Sequence, residues 1–254
     1  MDLGLKGKKA FVTGASRGIG LRIARLLAAE GADIGICARD GAAVQQTVAE
    51  LQGFGVKTFG APADLKGDGS DLKAAIDGAA QAFGGLDILV QNVSAMAVQM
   101  RQKDWDAGYQ VDILGTLRTV EAAMPWLQKS SAGSIVVIGS IAAVSGNGGP
   151  QPYGALKAAL VHYVSGLAHS LGPQNIRANT VSPGAVFFEG GVWDQVKKAA
   201  PKRFDETVAR NPMGRMATPE EVANAAVFLA SPAASFITGV NLIVDGGTTQ
   251  RVQF

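Results

Sequence analysis

A chain of 254 residues, 47% hydrophobic and 17% charged with a formal net charge of +2, has the apolar content to bury a sizeable core. Its Lys and Arg are scattered among Asp and Glu, so it lacks the basic stripe that nucleic-acid binding requires. The single cysteine, Cys37, excludes an internal disulfide and sits in an apolar run, where a buried, inert thiol is expected.

The pattern opens with a strand at Lys9–Thr13 and a helix at Ile19–Glu30, which puts Ile19, Ile23 and Leu26/Leu27 on one face. It continues with a strand at Asp33–Ala38, a helix at Ala42–Leu51 and a strand around Lys57–Ala61. A helix near Leu72–Phe83 leads to a strand at Asp87–Gln91, and one long helix is expected from Asp104 to Leu127. A strand at Ser134–Ser140 precedes a helix at Pro152–Leu171, where Leu156, Leu160, Val164, Leu167 and Leu171 share a face. After a strand at Ile176–Val181, Thr218-Pro219-Glu220-Glu221 reads as a helix start, with a capping Thr and a Glu three residues on. That helix runs to about Leu229, and Val240–Val244 is the seventh strand.

Alternating strands and helices predict an α/β fold: one Rossmann-type, doubly wound domain of seven parallel strands with helices on both faces. No linker or repeat divides the chain, and residues 187–211, which fit the pattern least, are expected to form a mobile flap. Residues 130–156 carry no charge, but glycines and prolines between 146 and 152 interrupt them, so they do not make a membrane span. The N-terminus lacks the apolar core of a signal peptide, and a cytoplasmic protein is expected.

Thr13-Gly14-Ala15-Ser16-Arg17-Gly18-Ile19-Gly20 lies between the first strand and the first helix. In that setting Gly14 permits a tight turn, Gly18 lets the backbone approach a pyrophosphate, and Gly20 lets helix and strand pack closely. Free N–H groups at the helix start favour the phosphates. The second strand ends Cys37-Ala38-Arg39-Asp40. Arg39 and Arg17 suit the 2′-phosphate of NADP(H), which favours it over NAD(H); the competing reading leaves Arg39 in solvent and gives the ribose to Asp40. Tyr153 and Lys157, four apart on a helix, share a face. A phenol is a poor proton carrier at neutral pH, and an adjacent ammonium favours its phenolate form. Ser140, at a strand end, is placed to donate a hydrogen bond to a substrate oxygen.

Thr13-Gly14-x-x-x-Gly18-x-Gly20, Ser140, Tyr153-x-x-x-Lys157 and Pro183-Gly184 together resemble the short-chain dehydrogenase/reductase family over nearly the whole chain, with most similarity to its bacterial 3-oxoacyl-[acyl-carrier-protein] reductase-like branch. The resemblance implies interconversion of a ketone and a secondary alcohol. Tyr153 would exchange the proton, Ser140 position the oxygen, and Lys157 assist the tyrosine and hold the nicotinamide ribose. It further implies that Ser16, Ile19, Asp64, Leu65, Asn92, Val93, Pro183, Gly184 and Val186 border the cofactor, and that the chain forms a dimer or tetramer. Three positions depart from the family. Asn92 is kept but Val93 and Ser94 follow it, Asp112 stands where the family has asparagine, and Phe187-Phe188 stands where a threonine often serves the carboxamide. The family asparagine acts largely through a backbone carbonyl that holds a water, a role open to Asp112. These departures motivate the rival expectation of a non-catalytic nucleotide-binding scaffold. His162 and His169, seven apart, suit no helical metal pair and read as packing or surface residues. Phe187, Phe188, Trp193 and Phe204 either line an apolar substrate pocket or dock the flap.

Overall fold

The computed structural model describes residues 2–146 and 149–250. Strands β1 (Lys9–Thr13), β2 (Asp33–Ala38), β3 (Thr58–Pro62), β4 (Ile88–Gln91), β5 (Gly133–Ile138), β6 (Ile176–Pro183) and β7 (Asn241–Val244) form one sheet in the order β3-β2-β1-β4-β5-β6-β7. Every neighbouring pair is parallel. The helices are α1 (Gly18–Ala29), α2 (Gly41–Gln52), α3 (Ser70–Phe83), α4 (Gln102–Gly108), α5 (Gly115–Leu127), α6 (Pro152–Leu171), α7 (Val192–Ala199), α8 (Pro201–Ala209) and α9 (Pro219–Ala230).

Strand side chains alternate between two cores because successive Cβ atoms point to opposite faces. Ala10 and Val12 of β1, with Val136 and Ile138 of β5, join a core with Ile23 and Leu27 of α1 and Val222 and Val227 of α9. Phe11, Ile135 and Val137 face the other way, into a core with Ile76 of α3, Val120 of α5 and Leu160 and Val164 of α6. Burial on both faces explains why the strands read as continuous apolar runs. Among the described residues no helix is long and apolar enough to cross a membrane.

One expectation needs correction. The helix foreseen over Asp104–Leu127 is three segments: α4, a π-helical stretch at Tyr109–Leu114, and α5. The widened turn carries Asp112, which is buried. In addition, the segment 187–211, for which no element was foreseen, holds α7 and α8, separated at Ala200. Its far end is tied down where Asn211 Nδ2 donates to the Asp245 carbonyl, in a turn whose carboxylate accepts from the Gly247 and Thr249 N–H groups. Other boundaries move by one or two residues, and α6 begins and ends where its pattern predicts. At the start of α9 the capping box is complete, with Thr218 Oγ1 accepting from Glu221 N–H and the Glu221 carboxylate from Thr218 N–H.

Candidate active site

The strand order reverses between β1 and β4, and a cleft of about 710 Å³ opens at the strands' carboxyl ends. The turn after β1 forms its floor. Gly14 and Gly18 take the left-handed conformation, at φ 64° and 57°. A Cβ at Gly20 would sit 2.4 Å from the Gly14 carbonyl oxygen, so only glycine lets α1 come this close to the turn. Asn92 clamps the turn from β4, its Nδ2 donating to the Thr13 and Gly14 carbonyls at 3.1 and 3.2 Å. Helix α1 starts at this turn with no side-chain cap and no acidic residue in its first turn, which leaves its N–H groups and positive pole to an anion. The turn therefore fits a dinucleotide pyrophosphate. Gly18 carries a second constraint that the sequence reading missed: a Cβ there would lie 2.7 Å from Phe188 Cζ, so the Phe188 ring rests on the turn.

Around the floor, Ser16, Arg17, Ile19, Arg39, Asp64, Leu65, Asn92, Val93, Pro183, Gly184 and Val186 all line the cleft. Arg17 and Arg39 are exposed and form no ion pair among the described residues. Asp40 caps α2, its Oδ1 accepting from Ala43 N–H at 3.1 Å. Asp64 Oδ1 likewise accepts from Lys66 N–H at 3.0 Å.

Ser140, Tyr153 and Lys157 open onto the same cleft over β4 to β6. Ser140 lies just beyond β5 rather than within it and starts a short 3₁₀ turn at Ile141–Ala143. Its Oγ accepts from Ala142 N–H at 3.1 Å, so its own O–H remains a free donor. Gly154 lets α6 approach this turn, since a Cβ there would fall 2.9 Å from the Ala142 carbonyl oxygen; the sequence reading passed over it. Lys157 is buried, donates from Nζ to the Ile138 carbonyl at 3.0 Å, and lies 5.9 Å from the centre of the Tyr153 ring.

Asp112 meets its neighbours through both its backbone and its side chain. Its carbonyl accepts from Thr116 Oγ1 at 2.6 Å, while the carboxylate reaches the lysine. Oδ1 is 3.2 Å from Lys157 Nζ, in an arrangement that is Coulombic rather than a well-formed hydrogen bond, and Oδ2 accepts from Ala95 N–H at 3.0 Å. Both side chains are 3% exposed, so the pair carries little solvent screening. Ala95, Met96, Val192 and Gln195 also line the cleft and were not anticipated. The adjacent Gly190-Gly191, a break before α7, was the available signal. His162 and His169 are exposed on α6, away from this site.

Comparison with known proteins agrees with this arrangement. A family model described as Enoyl-(Acyl carrier protein) reductase matches residues 14–249. Isoepoxydon dehydrogenase patN of Penicillium expansum is 36% identical, over 100% of this chain and 99% of its own. The 3-oxoacyl-[acyl-carrier-protein] reductase of Aquifex aeolicus is 33% identical, over 97% and 99%, so the similarity does not single out that branch. The solved structure of 7 alpha-hydroxysteroid dehydrogenase complexed with NADH and 7-oxo glycochenodeoxycholic acid superposes with a TM-score of 0.88 at 32% identity, covering 99% of this chain and 98% of that one. The chain belongs to the short-chain dehydrogenase/reductase family and is an oxidoreductase acting on the carbonyl–alcohol pair.

Proposed function

We propose that this chain is an NADP(H)-dependent ketone reductase in which Tyr153 carries the proton, Ser140 orients the carbonyl and Lys157 supports both tyrosine and cofactor. The observation that carries the reading is the convergence of a free Ser140 hydroxyl, Tyr153 and a buried Lys157 on one cleft with an uncapped helix start. A non-catalytic scaffold would have no use for that convergence.

The pyrophosphate fits the N–H groups at the start of α1, and Arg17 and Arg39 are free to hold a 2′-phosphate. The engagement of Asp40 in capping α2 argues against its serving the ribose of NAD(H). When bound, the reduced dinucleotide supplies the hydride that the carbonyl carbon accepts. Ser140 donates to the carbonyl oxygen and stabilises the charge developing there. Tyr153 gives its hydroxyl proton to that oxygen, or takes it back in the oxidative direction. The Lys157 ammonium has three donors; the Ile138 carbonyl takes one, which leaves two for the cofactor ribose and Tyr153. Residues 187–211 act as the substrate flap of this single catalytic domain. Self-association would cover Phe236, which is fully exposed beside β7.

The test is oxidation of NADPH and of NADH by the purified chain with a panel of ketones. NADPH-dependent reduction that exceeds the NADH rate supports the reading. Absence of turnover with every ketone, or a clear preference for NADH, overturns it.

A further inference from the structure

We propose that the substrate end of the cleft selects an uncharged ketone flanked by apolar groups, with Met96, Val192 and Trp193 as the specificity-determining side chains. This rests on the ketone-reductase reading and adds the substrate class.

Charge is sorted along the cleft. Arg17, Arg39, Asp40 and Asp64 all follow β1, β2 or β3, at one end. Over β4 to β6, where Ser140 and Tyr153 stand, Lys157 is the only charged side chain in the wall among the described residues. Its ammonium lies 3.2 Å from the Asp112 carboxylate, so the pair brings no net charge to the reacting centre. The lysines of α7 are engaged elsewhere. Lys198 pairs with Asp194 at 2.8 Å, and Lys197 lies 5.5 and 5.3 Å from the centres of the Phe187 and Phe204 rings. A carboxylate or phosphate on the substrate would therefore lose water without gaining a cation, and such burial is heavily penalised.

What remains is apolar. Met96 follows β4 while Val192 and Trp193 follow β6, so they approach the reacting groups from opposite sides. Met96 and Val192 are 42% and 46% exposed, an apolar surface left open at the mouth. A methionine adapts its shape to a ring or a branched chain, and a tryptophan supplies a broad flat wall. Among the described residues the polar groups nearby are few: the Ser94, Ser140 and Tyr153 hydroxyls and the amides of Gln195 and of Asn92, which already clamps the glycine turn, so a polyhydroxylated substrate would leave hydroxyls unpaired.

The experiment compares a neutral bicyclic ketone, a 2-oxo carboxylate of similar size and a ketohexose, using the full chain saturated with NADPH. We expect kcat/KM for the bicyclic ketone to exceed that for the carboxylate by about 100-fold or more. Trp193→Ala should lower it about 10-fold while sparing cyclohexanone, which is too small to span the wall. Equal use of the carboxylate or the ketohexose, or an equal loss on both ketones in Trp193→Ala, overturns the proposal. A binding readout separates this proposal from the reading beneath it. In the NADP-loaded chain the bicyclic ketone should quench the fluorescence component that Trp193→Phe removes, and the carboxylate should not. If no ketone is reduced the reductase reading fails, while equal quenching by both ligands overturns the selectivity alone.

Discussion

Replacing Asp112 with asparagine keeps the side chain's shape but changes what it offers its neighbours. Two donors face the carboxylate: Ala95 N–H, 3.0 Å from Oδ2, and the Lys157 ammonium, 3.2 Å from Oδ1. An amide has one acceptor and one donor group, so it satisfies one neighbour and turns N–H toward the other. The raw attraction at 3.2 Å is roughly 5 kcal/mol at an effective dielectric constant of about 20. Desolvating both groups offsets much of that, yet breaking one side of a buried pair typically costs about 3–5 kcal/mol, because a charge is left uncompensated. We expect Asp112→Asn to destabilise the cofactor-free protein by about 3 kcal/mol, a fall in Tm of roughly 6–12 °C for a chain of this length. Lys157→Met should cost a similar amount. The double variant should cost less than the sum, by roughly 2 kcal/mol, since removing both charges abolishes the stranded ion. Urea unfolding of the four proteins measures this coupling. Additivity within about 0.5 kcal/mol would refute the argument that the pair acts as a unit.

Three further outcomes follow from other parts of the molecule. Arg39→Leu should weaken NADPH binding about 10- to 100-fold, the worth of a charge-assisted hydrogen bond to phosphate, and leave NADH binding nearly unchanged in a calorimetric titration. Cys37 lies beneath the glycine turn, where burial pushes its thiol up to about 12. It should not react with a thiol reagent at pH 8 until the protein is unfolded. The Glu221 carboxyl is held down at about 2, first by Arg215 and then by the Thr218 N–H. A carboxyl lowered by folding contributes stability above its unfolded value near 4.5 and loses that contribution as pH falls toward 2. Thermal melts should therefore show Glu221→Gln below wild type at pH 7, with the gap closing by about pH 2.

The sequence carried the sheet and most of the cleft for identifiable reasons. Strands buried on both faces leave unbroken apolar runs, and Pro152 with the Leu156–Leu171 face marked α6 from end to end. The glycine turn was legible because its position between β1 and α1 gives each glycine a task. The π-helical turn at Tyr109–Leu114 was not, because it is one extra residue in a helical pattern with no residue type that announces it. The turn holds Asp112 toward Lys157, a contact 45 positions away in sequence that no local pattern encodes. The helices within the flap segment went unread for a different reason. Helices α7 and α8 are amphipathic but only eight and nine residues long and mostly exposed, so their mixed apolar and charged residues read as irregular, although Gly190-Gly191 and Pro201 mark their starts. Phe188 read as an odd residue near the nicotinamide end, whereas its ring lies on Gly18 of the phosphate turn.

The central claim is that the Tyr153 hydroxyl passes a proton to or from the substrate oxygen. A single-turnover reduction of a ketone by NADPH, wild type against Tyr153→Phe, tests it most directly. The account predicts a loss of about 100-fold or more in the rate of hydride transfer, with NADPH affinity within about threefold of wild type. Equal single-turnover rates for the two proteins would contradict it.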